Sequence, residues 1–204
     1  MQTYDLKWSE TRLWELVEQR AQPGADVEAI DRRIWDLFGE TWAVMFTDLA
    51  GFSRQVDKFG IIHFLGVIQR QKELLLPVVA DHDGILIKIE ADSLLCIYRR
   101  CDSAYRAALK MQEVCASHNA DKSPEEQVLL CVGLGYGKML RIGDSDVYSR
   151  EVNAASKLGE DIAKQGETLA TEAFCKEIEE HFTFRLEELT TVVPGSRHNY
   201  RILT

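Results

Sequence analysis

The sequence predicts an α+β domain: a ferredoxin-like split βαβ core (βαββαβ) with a C-terminal αββ extension and helices ahead of it. Three observations carry that expectation. Between Trp42 and Gly137, short apolar runs alternate with amphipathic stretches in the order strand, helix, two strands, helix, strand. Two of those strands deliver an acid to a turn, Asp48 before Leu49-Ala50-Gly51 and Asp92 between Ala91 and Ser93. The chain's 204 residues, 46% hydrophobic and 28% charged, suffice to bury one full core.

Residues 1–41 are expected to form a helical extension and residues 42–204 the main domain. Ser9 caps a first amphipathic helix with Leu13, Leu16 and Val17 on one stripe, and Pro23-Gly24 ends it. A second helix, Asp26 to Phe38, repeats Val27, Ile30, Ile34 and Leu37 at helical spacing beside Trp35. Both are expected to pack on the domain or on a second subunit.

Trp42 to Thr47 is too short and too apolar for a surface helix, so it reads as a buried strand ending at Asp48. Residues 60–80 carry Ile61, Phe64, Leu65, Ile68, Leu75 and Val79 on a helix that Pro77 kinks or stops. After the turn His82-Asp83-Gly84, period-two patterning sets Ile85, Ile87 and Ile89 on one face and Leu86, Lys88 and Glu90 on the other. With Leu94 to Tyr98 this strand forms a hairpin tipped by Ala91-Asp92. A helix over 103–118 and a polar loop over 120–127 follow.

Val128 to Gly137 is another buried strand, whose alternate glycines imply close approach of a neighbour or ligand. Leu140 to Tyr148 forms a short strand or loop. Arg150 to Lys164 is a helix with Val152, Ala155, Leu158 and Ile162 inward, closed by Gly166. A strand (Glu167 to Ala170), a helix (Glu172 to Ile178) and two strands (Phe182 to Glu187, Asn199 to Leu203) finish the chain. In a split βαβ sheet the first strand lies beside the third, which makes Asp48 and Asp92 neighbours.

Composition narrows the function. Lysine and arginine number 24 against 33 acids, a net charge of −9 without a basic block, which argues against a nucleic-acid partner. The five cysteines show no Cys-x-x-Cys spacing and sit in apolar runs, as buried small hydrophobes do. No segment has a signal-peptide pattern or the ~20 apolar residues of a membrane span, so a cytoplasmic setting is expected. His63, His82, His118, His181 and His198 lack ligand spacing, and there is neither a phosphate loop nor a dinucleotide glycine fingerprint.

Two strand-end carboxylates suit divalent cations held mainly by substrate phosphates, because magnesium keeps its waters and takes few protein ligands. The acids keep specific company: Phe46-Thr-Asp-Leu-Ala-Gly-Phe52, Lys88-x-x-x-Asp92, and Asp146 followed by Asn153-x-Ala-Ser-x-Leu158. On these motifs residues 42–204 resemble the class III nucleotidyl cyclases, the adenylate and guanylate cyclase catalytic domain. The resemblance implies that Asp48, Asp92 and the Leu49 carbonyl hold two Mg²⁺ or Mn²⁺ ions per site. It assigns Lys88 and Asp146 to the base. A lysine donor suits adenine N1 and a carboxylate acceptor suits the 6-amino group, whereas guanine presents a carbonyl there. ATP is the expected substrate, and 3′,5′-cyclic AMP and pyrophosphate the products.

By the same resemblance Asn153 orients the ribose. Lys157 stands where the family has an arginine that steadies the transition state. Arg197 stands near the place of a triphosphate-binding lysine, Ser149 replaces a common glycine, and so does Ala91. The family splits these roles between subunits, so a head-to-tail homodimer with two equivalent sites is implied, and an inert monomer. The alternatives are a cyclase-like nucleotide-binding or dimerisation module with weak or no turnover, motivated by Lys157 and the absent C-terminal lysine, and a cyclase using GTP or a pyrimidine triphosphate.

Overall fold

The computed structural model describes residues 8–203, and the side chains of 52–55 lie outside that description, as do the first seven residues of the expected extension. Helices α1 (Trp8–Arg20) and α2 (Val27–Phe38) come first. Asp26 caps α2, accepting the Ala29 N–H at 3.0 Å. Ser9 lies inside α1 instead of capping it. The buried stripe is narrower than the sequence suggests: Leu13, Leu16, Ile34 and Phe38 are covered, while Val17, Val27 and Leu37 face out.

Strand β1 (Gly39–Leu49) starts three residues early, directly from α2. Past Gly51, whose φ of 86° is left-handed, the chain forms α3 (Phe52–Phe59), over residues to which the sequence pattern assigned no element, and then α4 (Ile61–Asp81). Pro77 does not stop α4. Leu75, Val78 and Val79 around it are buried, and that packing offsets the roughly 3 kcal/mol an internal proline costs. Strands β2 (Ile85–Glu90) and β3 (Ser93–Tyr98) form the hairpin, and α5 (Cys101–Asn119) follows.

Strand β4 (Leu130–Ile142) extends beyond Gly137 and folds back through β5 (Asp146–Tyr148). The helix expected over 150–164 is α6 (Arg150–Ser156) continued by a wider π turn, Lys157–Ile162. β6 (Thr168–Thr171), α7 (Glu172–Ile178), β7 (Arg185–Glu188) and β8 (Asn199–Leu203) complete the chain.

The sheet runs β2-β3-β1-β4-β6-β8-β7, with β5 attached to β4. Its first four strands are the expected split βαβ arrangement, with β1 antiparallel to β3 on one side and β4 on the other. One face packs Met45, Tyr98 and Leu134 under Leu75, Met111 and Phe174 from α4, α5 and α7. The opposite face packs Trp42, Val44, Leu95 and Ile97 against Val152 and Ala155 of α6. Because both faces are covered, the middle strands read as unbroken apolar runs. All five cysteines are buried and free. Among the described residues, no helix is long and apolar enough to cross a membrane.

The glycines of β4 do mark close approach, and the neighbour is the chain itself. A Cβ on Gly133 would meet the Ala155 carbonyl oxygen at 2.1 Å and the Gly159 nitrogen at 2.5 Å. Gly159 in turn leaves room for the carbonyl of Phe46. Bare backbone on both sides lets the α6 segment sit directly on β1 and β4, next to Asp48.

Candidate active site

Antiparallel register sets the acid pair. Thr47 pairs with Leu94, so the next residue, Asp48, stands across from Ser93, and Ser93 Oγ donates to Asp48 Oδ1 at 3.1 Å. Asp92 follows from the hairpin tip, where Ala91 is left-handed at φ 52°. Glycine would adopt that conformation without the strain an L-residue carries. A residue missed in the sequence fixes the tip from behind: fully buried Gln71 of α4 donates from Nε2 to the Asp92 carbonyl at 2.8 Å. The signal was available, since Phe64, Ile68, Gln71 and Leu75 form one helical stripe interrupted by an amide.

Burial, and then the neighbouring Asp92, push the Asp48 carboxyl up to about 6, against the opposing Ser93 and Leu49 donors. Burial also raises Asp92, and Glu160 raises both. Two carboxyl groups thus stand beside each other, and charge on Asp92 disfavours charge on Asp48. Among the described residues no group of three His, Cys, Asp or Glu side chains gathers tightly enough to hold a metal by itself. A partly buried carboxylate, Asp48, beside a buried one, Asp92, nevertheless fits a hard divalent cation that completes its shell with waters and phosphate oxygens. The side chain of Leu49 is buried, which leaves only its main-chain groups at the strand end.

Beside this pair opens a cavity of ≈ 220 Å³. Ser93, Ser156 and Glu160 line it, as do Lys88, Asp146 and Asn153, over a floor of Phe46, Leu95 and Val152. Ser156 Oγ donates to Glu160. Lys88 reaches the cavity because of a bulge. The β2–β3 register shifts between Leu86 and Lys88, so Lys88 pairs with Leu95 and shares the face of Ile85 and Ile87. Strict alternation had put it on the opposite face; the extra residue at Ile87 reverses that.

Lys88 Nζ then donates to Asp146 Oδ2 at 2.7 Å, across 58 residues of sequence. The Asp146 partner, opposed by burial and aided by Glu90, raises the Lys88 ammonium. The other Asp146 oxygen accepts the Val147 N–H at 2.9 Å. A hydrogen-bond donor and an acceptor are thus fixed side by side. Carboxylates outnumber cations around the cavity, so a polyphosphate enters favourably only with divalent counter-ions.

Asp48, Leu49 and Asp92 are outside the lining, Asp48 being joined to it through Ser93, and two further expected residues stand apart from the cavity. Lys157 is exposed and pairs with Asp161 at 2.6 Å, one turn on, outside the lining. Arg197 is exposed on the loop between β7 and β8, also outside the lining. In one chain, therefore, Asp48 stands with Asp92, and Lys88, Asp146 and Asn153 share a cavity whose lining includes neither of those acids nor Lys157 or Arg197.

No protein-family model matches the chain. It is 28% identical over 116 residues, 57% of its length, to the protein named "Putative adenylate cyclase 3" of Rhizobium meliloti. It is 28% identical over 130 residues, 64% of its length, to the serine/threonine-protein kinase pkn2 of Myxococcus xanthus. These matches span only 20% and 15% of those longer proteins. The adenylate/guanylate cyclase/hydrolase of Silicibacter pomeroyi superposes with a TM-score of 0.69 at 21% identity, covering 81% of this chain and 98% of that one. The fold is that of the adenylate and guanylate cyclase catalytic domain. Other structures sharing the cyclase fold include the adenylyl cyclase CyaB of P. aeruginosa, with a TM-score of 0.63 at 15% identity, covering 81% of this chain and 95% of that one. The guanylate cyclase domain of RhGC from Catenaria anguillulae, in complex with GTP, has a TM-score of 0.65 at 17% identity over 81% of this chain and 97% of its own. The cyclase fold is therefore shared by enzymes named for either purine.

Proposed function

We propose that the chain is a class III adenylate cyclase, converting ATP to 3′,5′-cyclic AMP and pyrophosphate at sites shared by two copies in a head-to-tail homodimer. The observation that carries this reading is the Lys88–Asp146 contact of 2.7 Å in the cavity beside Asp48 and Asp92. A donor next to an acceptor matches N1 and the 6-amino group of adenine, and mismatches the 6-carbonyl and protonated N1 of guanine. In the reaction the ribose 3′-oxygen bonds to the α-phosphorus, the bond from that phosphorus to the β-bridging oxygen breaks, and pyrophosphate leaves while the 3′-hydroxyl proton is lost to solvent. Mg²⁺ or Mn²⁺, two ions at Asp48, Asp92 and the Leu49 carbonyl, would supply Lewis-acid charge at the attacking and leaving oxygens.

The remaining residues bind and orient. Asn153 holds the ribose. Lys157 offers its ammonium to the phosphates of the site it faces across the dimer, as a point charge without the fork of an arginine. Arg197 is assigned to the triphosphate. The exposed Phe59, Ile61, Ile62 and Leu65 of α3 and α4, on the segment after the Asp48 turn, support a partner surface on that side.

Purified chain with Mn²⁺ and each of the four common triphosphates tests the proposal. Cyclic AMP is expected as the main product, abolished by Asp48→Ala or Asp92→Ala. Dominant cyclic GMP or a cyclic pyrimidine nucleotide would reassign the base, and no product from any triphosphate would sink the enzyme reading. The competing reading, a nucleotide-binding module without turnover, is favoured by the engagement of Lys157 with Asp161. Lys157→Arg separates the two: a large gain from a silent parent supports the module, and little change supports the enzyme.

A further inference from the structure

The N-terminal helices meet the main domain next to the base-reading pair. Leu13 and Leu16 of α1 and Ile34 and Phe38 of α2 form an apolar cluster distinct from the two that flank the sheet, and Ile142 is the one fully buried side chain that β4 puts into it among the described residues. Ile142 pairs directly with Asp146. Leu140, packed against the same cluster, pairs with Tyr148. Residues paired this way sit about 4.5–5.5 Å apart at their Cα atoms, so a displacement of Ile142 is a displacement of Asp146.

The two members of the Lys88–Asp146 contact are carried by different bodies. Lys88 rides on β2, held by β3 at one edge of the sheet. Asp146 rides on β5, three residues long and paired only to the end of β4. What covers the end of that ribbon is the helix pair. Trp35 of α2 packs its ring under Lys138 of β4 at 4.7 Å, and burial, then Asp146, and last Glu10 of α1 raise the Tyr148 hydroxyl.

We infer that α1 and α2 are a positioning element for Asp146: by packing on Ile142 they set where the carboxylate stands relative to Lys88, and thereby how strongly the site prefers adenine to guanine. The preference rests on the function proposed above; the mechanical coupling does not. Leu16, Ile34 and Phe38 then act on base choice without touching the nucleotide.

The test uses the full chain with Leu16→Ala, and Ile142→Val as a milder change should the first not fold. Amide hydrogen exchange is expected to quicken at Val147 and Tyr148 while β6 keeps the wild-type rate. Calorimetric titration with Mn²⁺-ATP and Mn²⁺-GTP is expected to show the ratio of the two affinities falling by about threefold or more, the scale of couplings through packed side chains. A ribbon that exchanges no faster than in wild type overturns the coupling, and equal losses for both nucleotides overturn the role in base choice. If wild type binds neither nucleotide, the proposed function fails, and the exchange experiment still decides whether the helices hold Asp146.

Discussion

Asp48 keeps its proton up to about pH 6 because β1 delivers it into partial burial beside Asp92. An unfolded chain releases that proton near 3.8, so between the two values the native state binds more protons than the unfolded state. Stability from this group is full below 3.8 and declines as pH rises through about 6. The metal-free protein should therefore melt lower at pH 7 than Asp48→Asn, with the difference vanishing near pH 4 and shrinking when Mn²⁺ is added to wild type. Paired melting curves across that range check this, and a variant no more stable than wild type at pH 7 would contradict it. Asp48→Asn should also make no cyclic nucleotide, since stability and function pull on this residue in opposite directions. At Ala91 they do not. The left-handed φ of 52° costs an L-residue roughly 1–2 kcal/mol. Ala91→Gly removes that strain and should raise stability by about 0.5–1 kcal/mol, after the greater chain entropy of glycine is subtracted. Denaturant unfolding measures it, and a lower midpoint would mean that the tip gains from the methyl group.

The elements explain which parts of the site could be read in advance. Strand ends are legible because period and turn chemistry locate them, so the neighbourhood of Asp48 and Asp92 followed from topology alone. The closeness of Lys88 to Asp146 did not follow from patterning. A one-residue bulge at Ile87 decides the face of Lys88, and a strand slip leaves no mark in a run as uniformly apolar as Ile85 to Ile87. Glu160 was missed for a related reason: the helix was read as one regular cylinder, whereas the π turn from Lys157 brings Glu160 to the cavity and leaves Lys157 outside it. What lets this segment reach the acids is the meeting of Gly133 and Gly159. Gly133→Ala would drive a methyl group to 2.1 Å from the Ala155 carbonyl, a backbone atom that cannot swing aside. Overpacking of this kind costs about 1–3 kcal/mol or more. The variant should unfold at lower denaturant and lose activity together, and an unaltered midpoint would show that the α6 segment moves more freely than its packing indicates.

At the scale of the whole molecule, one chain carries a complete set of parts in an arrangement that separates them. Lys157 extends toward solvent from the start of the π turn that follows α6, and Arg197 lies on a loop beyond the cavity. If two copies meet so that each presents Asp48 and Asp92 to the other's Asn153 and Lys157, every site draws on both chains, and a defect in one half can be complemented. Asp48→Ala removes the acid half of both sites in a dimer of that variant. Asn153→Ala removes the ribose half of both sites in its own dimer, so each should be silent alone. In a mixed dimer both defects fall in the same site, and the other site has every residue intact. With equal amounts and free exchange, half the dimers are mixed and half of their sites work, so the mixture should recover about a quarter of the wild-type rate. Recovery should grow with protein concentration until association is complete. A mixture as silent as its components, at concentrations where sedimentation shows dimers, would mean that each chain builds its site without its partner.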